Sequence, residues 1–267
     1  MIETSLVSDK GCCRKNNEDY LQLFSFGDET STGGKEVLAI LADGMGGHQG
    51  GEVASRMAVD VIGKTYFEQP GNDPVQALKT SFAKANQAIF KTASGDPALR
   101  GMGTTCTALV LKNGQACFAH VGDSRLYRLR DGGLELLTVD HTWVNMMISD
   151  GLLTPEEARL HPDRSIVTRS IGTQSDVSTD TSAGMLPIQV GDVYLLSSDG
   201  LHDLVEDEEI RLAVLCNPPH VASELLLTLA KQRGGYDNIS VGILTVREPS
   251  SIQNRAAITR ETAVIPV

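Results

Sequence analysis

Three apolar runs of the chain each deliver an aspartate into a turn of small residues: VLAILADG at Asp43, CFAHVGDS at Asp123 and VYLLSSDG at Asp199. A fourth, Asp237, stands directly before the apolar run ISVGILTV, and Glu18-Asp19 precedes the first such run. In an antiparallel sheet the end of one strand and the start of its neighbour share an edge. All four aspartates can therefore meet at one end of the sheets, with Glu18 and Asp19 beside them. Carboxylates gathered so closely repel one another and resist ionisation unless cations hold them. Oxygen-only donors suit Mg²⁺ or Mn²⁺ rather than zinc or copper. Two such ions suit in-line attack of a metal-activated water on phosphorus. Any one of these aspartates alone reads as an ordinary turn cap; the recurrence at four strand ends is what points to a metal centre.

Other chemistries lose their usual support. The glycine-rich GMGGHQGG at 44–51 has the wrong spacing for a dinucleotide loop, and there is no P-loop, GxSxG, HExxH or EF-hand pattern. The five cysteines (Cys12, Cys13, Cys106, Cys117, Cys216) are odd in number with no CxxC pair, which argues against disulfides and zinc. Thirty-four acids against 23 bases give a formal charge of −11, unfavourable for nucleic acid or an anionic membrane. No run approaches the roughly 18 apolar residues of a membrane span, and the opening MIETSLVSDKG lacks the basic-then-apolar pattern of a leader. The expectation is a cytoplasmic protein.

The elements that must position these acids follow from periodicity. Strand character marks 21–26, 37–42, 104–111, 116–121, 125–129, 134–137, 193–197 and 239–246. Asn113-Gly114 and Asp131-Gly132-Gly133 signal tight hairpins, hence antiparallel pairing. Helical stripes cover 51–69, stopped by Pro70-Gly71, and a second stretch from Pro74. Later helices are expected at 206–215 and 221–231, and Thr154-Pro155-Glu156-Glu157 reads as a capping box. The acidic run 206–209 reads as a first helical turn. With 267 residues, 41% of them hydrophobic, the chain is long enough for one large domain, here 1–247, followed by a polar tail, 248–267.

At this point Arg14 to Asp19, ADGMGGHQGGEVAS (42–55), GTT (103–105), HVGDSR (120–125), SSDGLHD (197–203) and GGYDNISV (234–241) resemble, in order, the motifs of the metal-dependent Ser/Thr protein phosphatases of type 2C, in their bacterial stand-alone form. The resemblance runs from about Ser5 to Val246. It implies an α/β (α+β) fold, a four-layer α-β-β-α sandwich of two antiparallel sheets flanked by helices. It also implies hydrolysis of phosphoserine and phosphothreonine in proteins at a dinuclear Mn²⁺ or Mg²⁺ centre, opposing a Ser/Thr protein kinase, by a monomer. Carried over residue by residue, Asp43 matches the carboxylate bridging two metals, and Gly44 a backbone carbonyl ligand. Asp199 and Asp237 match ligands of the first metal, and Glu18 and Asp19 match positions that bind or orient the second and its waters. Asp123, with Asp199, matches a weaker third-metal site, and Arg14 the guanidinium gripping substrate phosphate.

One position departs from animal members, where a histidine proposed as general acid follows the DG; here it is Met45, which has no proton to give. His48 or a water on the metal could replace it, and His48 could equally cap the following helix. His120 reads as a hydrogen-bonded core residue. The segment 141–172 resembles the family's flap beside the active site. There Trp143, Met146 and Met147 form either a peptide contact or a buried face, and Arg164 and Arg169 either meet phosphopeptide or are solvated. Asp203 could support the metal site or cap the helix at Glu206. The rival readings are a phosphoprotein-binding pseudophosphatase and a metal-dependent nuclease. The tail threonines Thr259 and Thr262 could be phosphorylation sites or functionless.

Overall fold

Strands that are apolar at every position have two faces to cover, and this chain covers both. The structure, a computed structural model, describes residues 1–27, 36–46, 50–69 and 73–248. Its strands are β1 (Ile2–Asp9), β2 (Asp19–Phe26), β3 (Glu36–Met45), β4 (Gly103–Thr104), β5 (Cys106–Lys112), β6 (Gln115–Val121), β7 (Arg125–Arg130), β8 (Gly133–Leu136), β9 (Asp180–Thr181), β10 (Leu186–Pro187), β11 (Val193–Ser197) and β12 (Ile239–Val246). Its helices are α1 (Gly50–Phe67), α2 (Pro74–Gly95), α3 (Trp143–Ser149), α4 (Pro155–Leu160), α5 (Asp199–His202), α6 (Asp207–Cys216) and α7 (Pro219–Gln232).

One sheet has the order β1-β12-β11-β7-β8; the other has β10-β6-β5-β3-β2, with β4 on β3 and β9 on β6. The pairings are antiparallel. Along β3, Leu38, Ile40 and Ala42 point into a core shared with Ala54, Ala58 and Ile62 of α1 and Leu78, Phe82 and Ile89 of α2. The alternate residues Val37, Ala39 and Leu41 point the other way, against Leu126, Tyr194, Leu196 and Leu244 of the facing sheet. A third core joins Leu195, Val241 and Ile243 to Ile210, Ala222 and Leu226 of α6 and α7. Three apolar layers thus separate helix, sheet, sheet and helix, the expected four-layer sandwich. No helix among the described residues is long and apolar enough to cross a membrane.

The expected hairpins form, with Asn113 at φ 50° before Gly114 at 74° and Asp131 at 51° before Gly132 at 77°. The Thr154–Glu157 capping box is present. Several boundaries differ. β3 runs three residues beyond the expected end because β4 extends the ladder, Gly44 opposite Thr104 and Met45 opposite Gly103. The run expected as one strand over 104–111 breaks at Thr105. β1, paired with β12 from Ile2–Val246 to Asp9–Ile239, had no apolar signal of its own. The cap of α6 is Glu206, reciprocated by Glu209, so Asp203 is not that cap. The Pro70-Gly71 stop, His48, Thr259 and Thr262 lie outside the described residues.

At the far end of β3 from the aspartates, Glu36 is buried between two partners. The Tyr66 hydroxyl donates to Oε1, and Lys112 Nζ stands 3.0 Å from Oε2. Tyr66→Phe leaves that carboxylate short of a donor and is expected to cost about 1–3 kcal/mol, read as a loss of several degrees in Tm by calorimetry. An unchanged Tm would show that the hydroxyl does not hold Glu36.

Candidate active site

The sandwich puts the acids where antiparallel geometry requires. Asp19, the first residue of β2, lies directly opposite Asp43 near the end of β3. Asp123 follows β6, Asp199 follows β11 as the first residue of α5, and Asp237 comes just before β12. Asp19 and Asp123 are buried, and Asp43, Asp199 and Asp237 are half-buried. Their proximity is registered in their titration. The Asp43 carboxyl is held well above the usual carboxylate range by its burial, and then by Asp19, Asp199, Asp123 and Asp237. Asp199 is raised likewise, by burial and by Asp123, Asp237 and Asp19. Burial pushes Asp123 up to about 7, with Asp140 and Asp203 adding.

The backbone under Asp43 is fixed by the GTT motif. Thr105 N–H and Thr104 Oγ1 each donate to the Asp43 carbonyl at 2.8 Å, and Asp43 N–H donates to Thr105 Oγ1 at 3.2 Å. Thr105 Oγ1 lies 2.6 Å from Ser124 Oγ, tying Asp43 to the turn that carries Asp123. Asp19 is gripped through Oδ2 by the hydroxyls of Ser198 and Ser240, both at 2.7 Å. Its other oxygen has no hydrogen-bond partner, nor has Asp199 Oδ1, although both atoms are buried. Burial raises Asp19 to about 6 against those two hydroxyl bonds.

Glu18 joins from the loop before β2. Its N–H donates to Asn238 Oδ1 at 2.8 Å, and its carbonyl accepts from Gly44 N–H at 3.1 Å. The Glu18 carboxylate and the Gly44 carbonyl lie side by side against Gly51. A Cβ there would come within 2.5 Å of Glu18 Oε2 and 2.8 Å of Gly44 O, so only glycine fits. Burial raises Glu18, Arg14 opposes, and Asp237 and Glu52 add. Arg14 is exposed at the rim with one arm on Asp237 Oδ2 at 2.5 Å. Asn238 pins the two loops together, donating to the carbonyls of Lys10 and Asn16 at 3.0 and 2.9 Å.

Among the described residues no three His, Cys, Asp or Glu side chains stand ready to hold an ion as they are placed. Arg14 occupies Asp237, and two hydroxyls occupy one oxygen of Asp19. The donor set nonetheless fits hard divalent cations: carboxylates and one carbonyl, two orphaned buried oxygens, and mutual repulsion that positive charge would relieve.

Next to the acids, residues 141–172 make a helical excursion containing α3 and α4. It is tied back by Thr142–Val167 and Thr104–Ile171 bridges and by His141, whose Nδ1 accepts from Gly122 N–H at 2.9 Å. A cavity of about 600 Å³ separates it from α5 and α6 and reaches Asp123 and Asp199. Trp143 is half-buried against His161, 4.9 Å between ring centroids, while Met146 is exposed. The three flap arginines are ion-paired, Arg159 with Glu206 at 3.6 Å, Arg164 with Asp203 at 3.7 Å and Arg169 with Asp180 at 2.6 Å. His120 is a buried, hydrogen-bonded core residue, on Thr107 Oγ1 and the Val139 carbonyl.

A sequence model of the family described as protein phosphatase 2C matches residues 15–223. The chain belongs to that family. It is similar to protein phosphatase PhpP of Streptococcus pneumoniae, 38% identical over 252 residues, covering 92% of this chain and 98% of that one. It is 39% identical over 239 residues to the serine/threonine protein phosphatase PstP of Mycobacterium tuberculosis, covering 90% of this chain but 44% of that longer protein. A solved structure of a PstP catalytic domain in complex with two manganese ions superposes with a TM-score of 0.80 at 35% identity, covering 92% of this chain and 99% of that one. This phosphatase is thus a metal-dependent phosphoprotein hydrolase. The family match stops short of Asp237 and starts after Arg14; the ion pair between these two lies outside it.

Sequence reasoning named the acids but missed the hydroxyls of Thr104, Thr105, Ser198 and Ser240 and the amide of Asn238. Their neighbours in the GTT, SSDG and DNIS strings were the available signal.

Because the raised acids must shed protons to take up cations, metal binding and pH are linked. Asp19 and Asp123 titrate at about 6 and about 7 in the metal-free fold, against roughly 3.9 for an unfolded aspartate. The stability they contribute is full below the unfolded value and is lost as pH rises through 6 to 7. Burial pushes His120 down to about 3 and lowers His141 and His202. Those rings act in the opposite direction. The Tm gain on adding Mn²⁺ should therefore grow between about pH 5.5 and pH 8. A gain independent of pH in scanning fluorimetry would contradict this proton–metal exchange.

Proposed function

We propose that this phosphatase hydrolyses phosphoserine and phosphothreonine in proteins at a dinuclear Mn²⁺ or Mg²⁺ centre built on these acids. The observation that carries the reading is the meeting of Asp19, Asp43, Asp123, Asp199 and Asp237 at one end of the sandwich. On this reading Asp43 would serve both ions, Asp199 and Asp237 would hold the first, Glu18 and Asp19 would hold or orient the second and its waters, and the Gly44 carbonyl would be a ligand of one of the two. Asp123 with Asp199 would hold a weaker third. Bound there, such ions lower the pKa of water and neutralise charge developing on a phosphoryl group.

The chain's own residues do the rest. Arg14, exposed and held by one arm, swings its guanidinium from Asp237 to two phosphoryl oxygens of substrate, a planar fork for a tetrahedral anion. The same movement frees Asp237 as a ligand. The Thr104–Thr105 and Ser198–Ser240 hydroxyls keep Asp43 and Asp19 from turning away. Met45 takes no part in proton transfer. The formal charge of −11 disfavours a nucleic-acid substrate, and the likeness to proteins named protein phosphatases PhpP and PstP supports a phosphoprotein substrate; a Ser/Thr protein kinase as the opposing activity and a cytoplasmic monomer complete the proposal.

Asp43→Asn keeps the shape and removes the bridging charge. Hydrolysis of a phosphothreonine peptide with Mn²⁺ should fall by about a hundredfold or more, and chelation of the wild-type enzyme should abolish turnover until Mn²⁺ is restored. Full activity of either preparation would overturn the proposal.

A further inference from the structure

The acids account for only one end of the cavity between the flap and the core. That cavity of about 600 Å³ starts at Asp123 and Asp199 and follows α5 to the beginning of α6, where Val205, Glu206 and Asp207 line it. Hydrogen bonds from Asp203 N–H to the Asp199 carbonyl and from Val205 N–H to the Leu201 carbonyl, both 2.9 Å, keep this stretch helical. At about 1.5 Å per residue, Val205 then lies roughly 9 Å from Asp199. An extended peptide spans that distance in about three residues, at about 3.3 Å each. Between the two ends stands His202, held at Nδ1 by Ser197 Oγ at 3.0 Å. Its Nε2 has no partner among the described residues and is open to the backbone of a bound peptide.

Apolar walls and a surplus of negative charge meet in the rest of the cavity. Val144 and Ala158 of the flap and Val205 of the core are buried there. Apart from Asp123 and Asp199, five acids and three arginines line it. Each arginine already has its acid: Arg125 stands on Asp140 at 2.7 Å, Arg164 on Asp203 at 3.7 Å and Arg159 on Glu206 at 3.6 Å. Glu156 and Asp207 have no cationic partner among the described residues, and Asp207 accepts only from the Tyr127 hydroxyl, at 3.1 Å. The Arg159–Glu206 pair is largely exposed on both sides, hence weak, and another cation can take the place of Arg159.

We propose that this cavity receives a lysine or arginine side chain of the substrate, about three residues from the phosphorylated one, and so selects basic phosphopeptides. The aliphatic stem lies along Val144, Ala158 and Val205, and the charged head reaches Glu156, Glu206 and Asp207. A long apolar stem with a cationic tip is the side chain that matches apolar walls edged by acids. A purely apolar side chain would leave the two surplus carboxylates without a partner. An acidic one would find every arginine taken and meet like charge. This selectivity rests on the phosphatase reading of the neighbouring acids and adds which phosphoproteins such a centre takes.

The test gives Mn²⁺-loaded enzyme phosphothreonine peptides that carry lysine, norleucine, alanine or glutamate at one position, scanned along both sides of the phosphothreonine. Lysine about three residues away on one side should lower KM about tenfold relative to alanine, with kcat changed far less. Norleucine, which has the stem without the charge, should recover only part of that gain, and glutamate should raise KM. Glu156 is exposed in the first turn of α4, so its replacement leaves the core intact. Glu156→Lys should abolish the preference for lysine and favour the glutamate peptide, and Asp207→Asn should narrow the preference. A KM indifferent to the scanned residue, or norleucine or glutamate matching lysine on the wild-type enzyme, would overturn the proposal. So would a lysine preference that Glu156→Lys leaves intact. Turnover of none of the peptides would instead fail the phosphatase reading, and this selectivity with it.

Discussion

Like charge held in a small space is the constraint on which this molecule is organised. Asp43 is raised by its burial and then by four other aspartates, which come from loops and strand ends of both sheets. Without cations such a cluster opposes folding, since burying unneutralised carboxylates costs several kcal/mol apiece. The three apolar layers supply the opposing free energy. β3 contributes to two of them, so the strand that carries Asp43 is clamped on both faces. The acids are held together by apolar contacts they do not share.

Around the cluster, neutral hydroxyls and one amide do what further cations could not. Thr104, Thr105, Ser198 and Ser240 hydrogen-bond the aspartates' backbone or side chains, and Ser124 holds Thr105, without adding charge that would compete with a metal. The result is a set of fixed backbones carrying orphaned oxygens at Asp19 and Asp199. Unpaired buried acceptors are costly in a finished core, and they are understandable where a ligand completes the site. Arg14 acts differently. Half its side chain is exposed, so its pair with Asp237 is strongly screened and can be exchanged for another anion.

Much of this was legible in the residues. The doubly buried strands announced themselves by continuous apolar runs, the hairpins by Asn-Gly and Asp-Gly, and the aspartates by their recurrence at strand ends. β1 was not legible, because IETSLVSD owes its extended form to β12, more than two hundred residues away, rather than to its own apolar content. The break at Thr105 was hidden for a related reason: that residue abandons the ladder to donate to Asp43, a choice only the neighbouring strand imposes. The pairing of Arg14 with Asp237 and the grip of Ser198 and Ser240 on Asp19 are also long-range. A hydroxyl in a strand carries no mark of what it faces until the sheet exists.

The β1–β12 pairing has a bearing on how the protein is made. β12 follows directly on Asp237 and Asn238 and pairs on one side with β1 and on the other with β11. Among the described residues it is the last strand of the sandwich to be synthesised, yet it occupies the interior of its sheet. A nascent chain still attached to the ribosome before Val246 emerges has β1 without a neighbour and the Arg14 loop without its anchor. The candidate centre is then missing a wall. Newly made chains would stay catalytically silent until the sheet closes, so each molecule gains its chemistry in one late step and partial chains gain none.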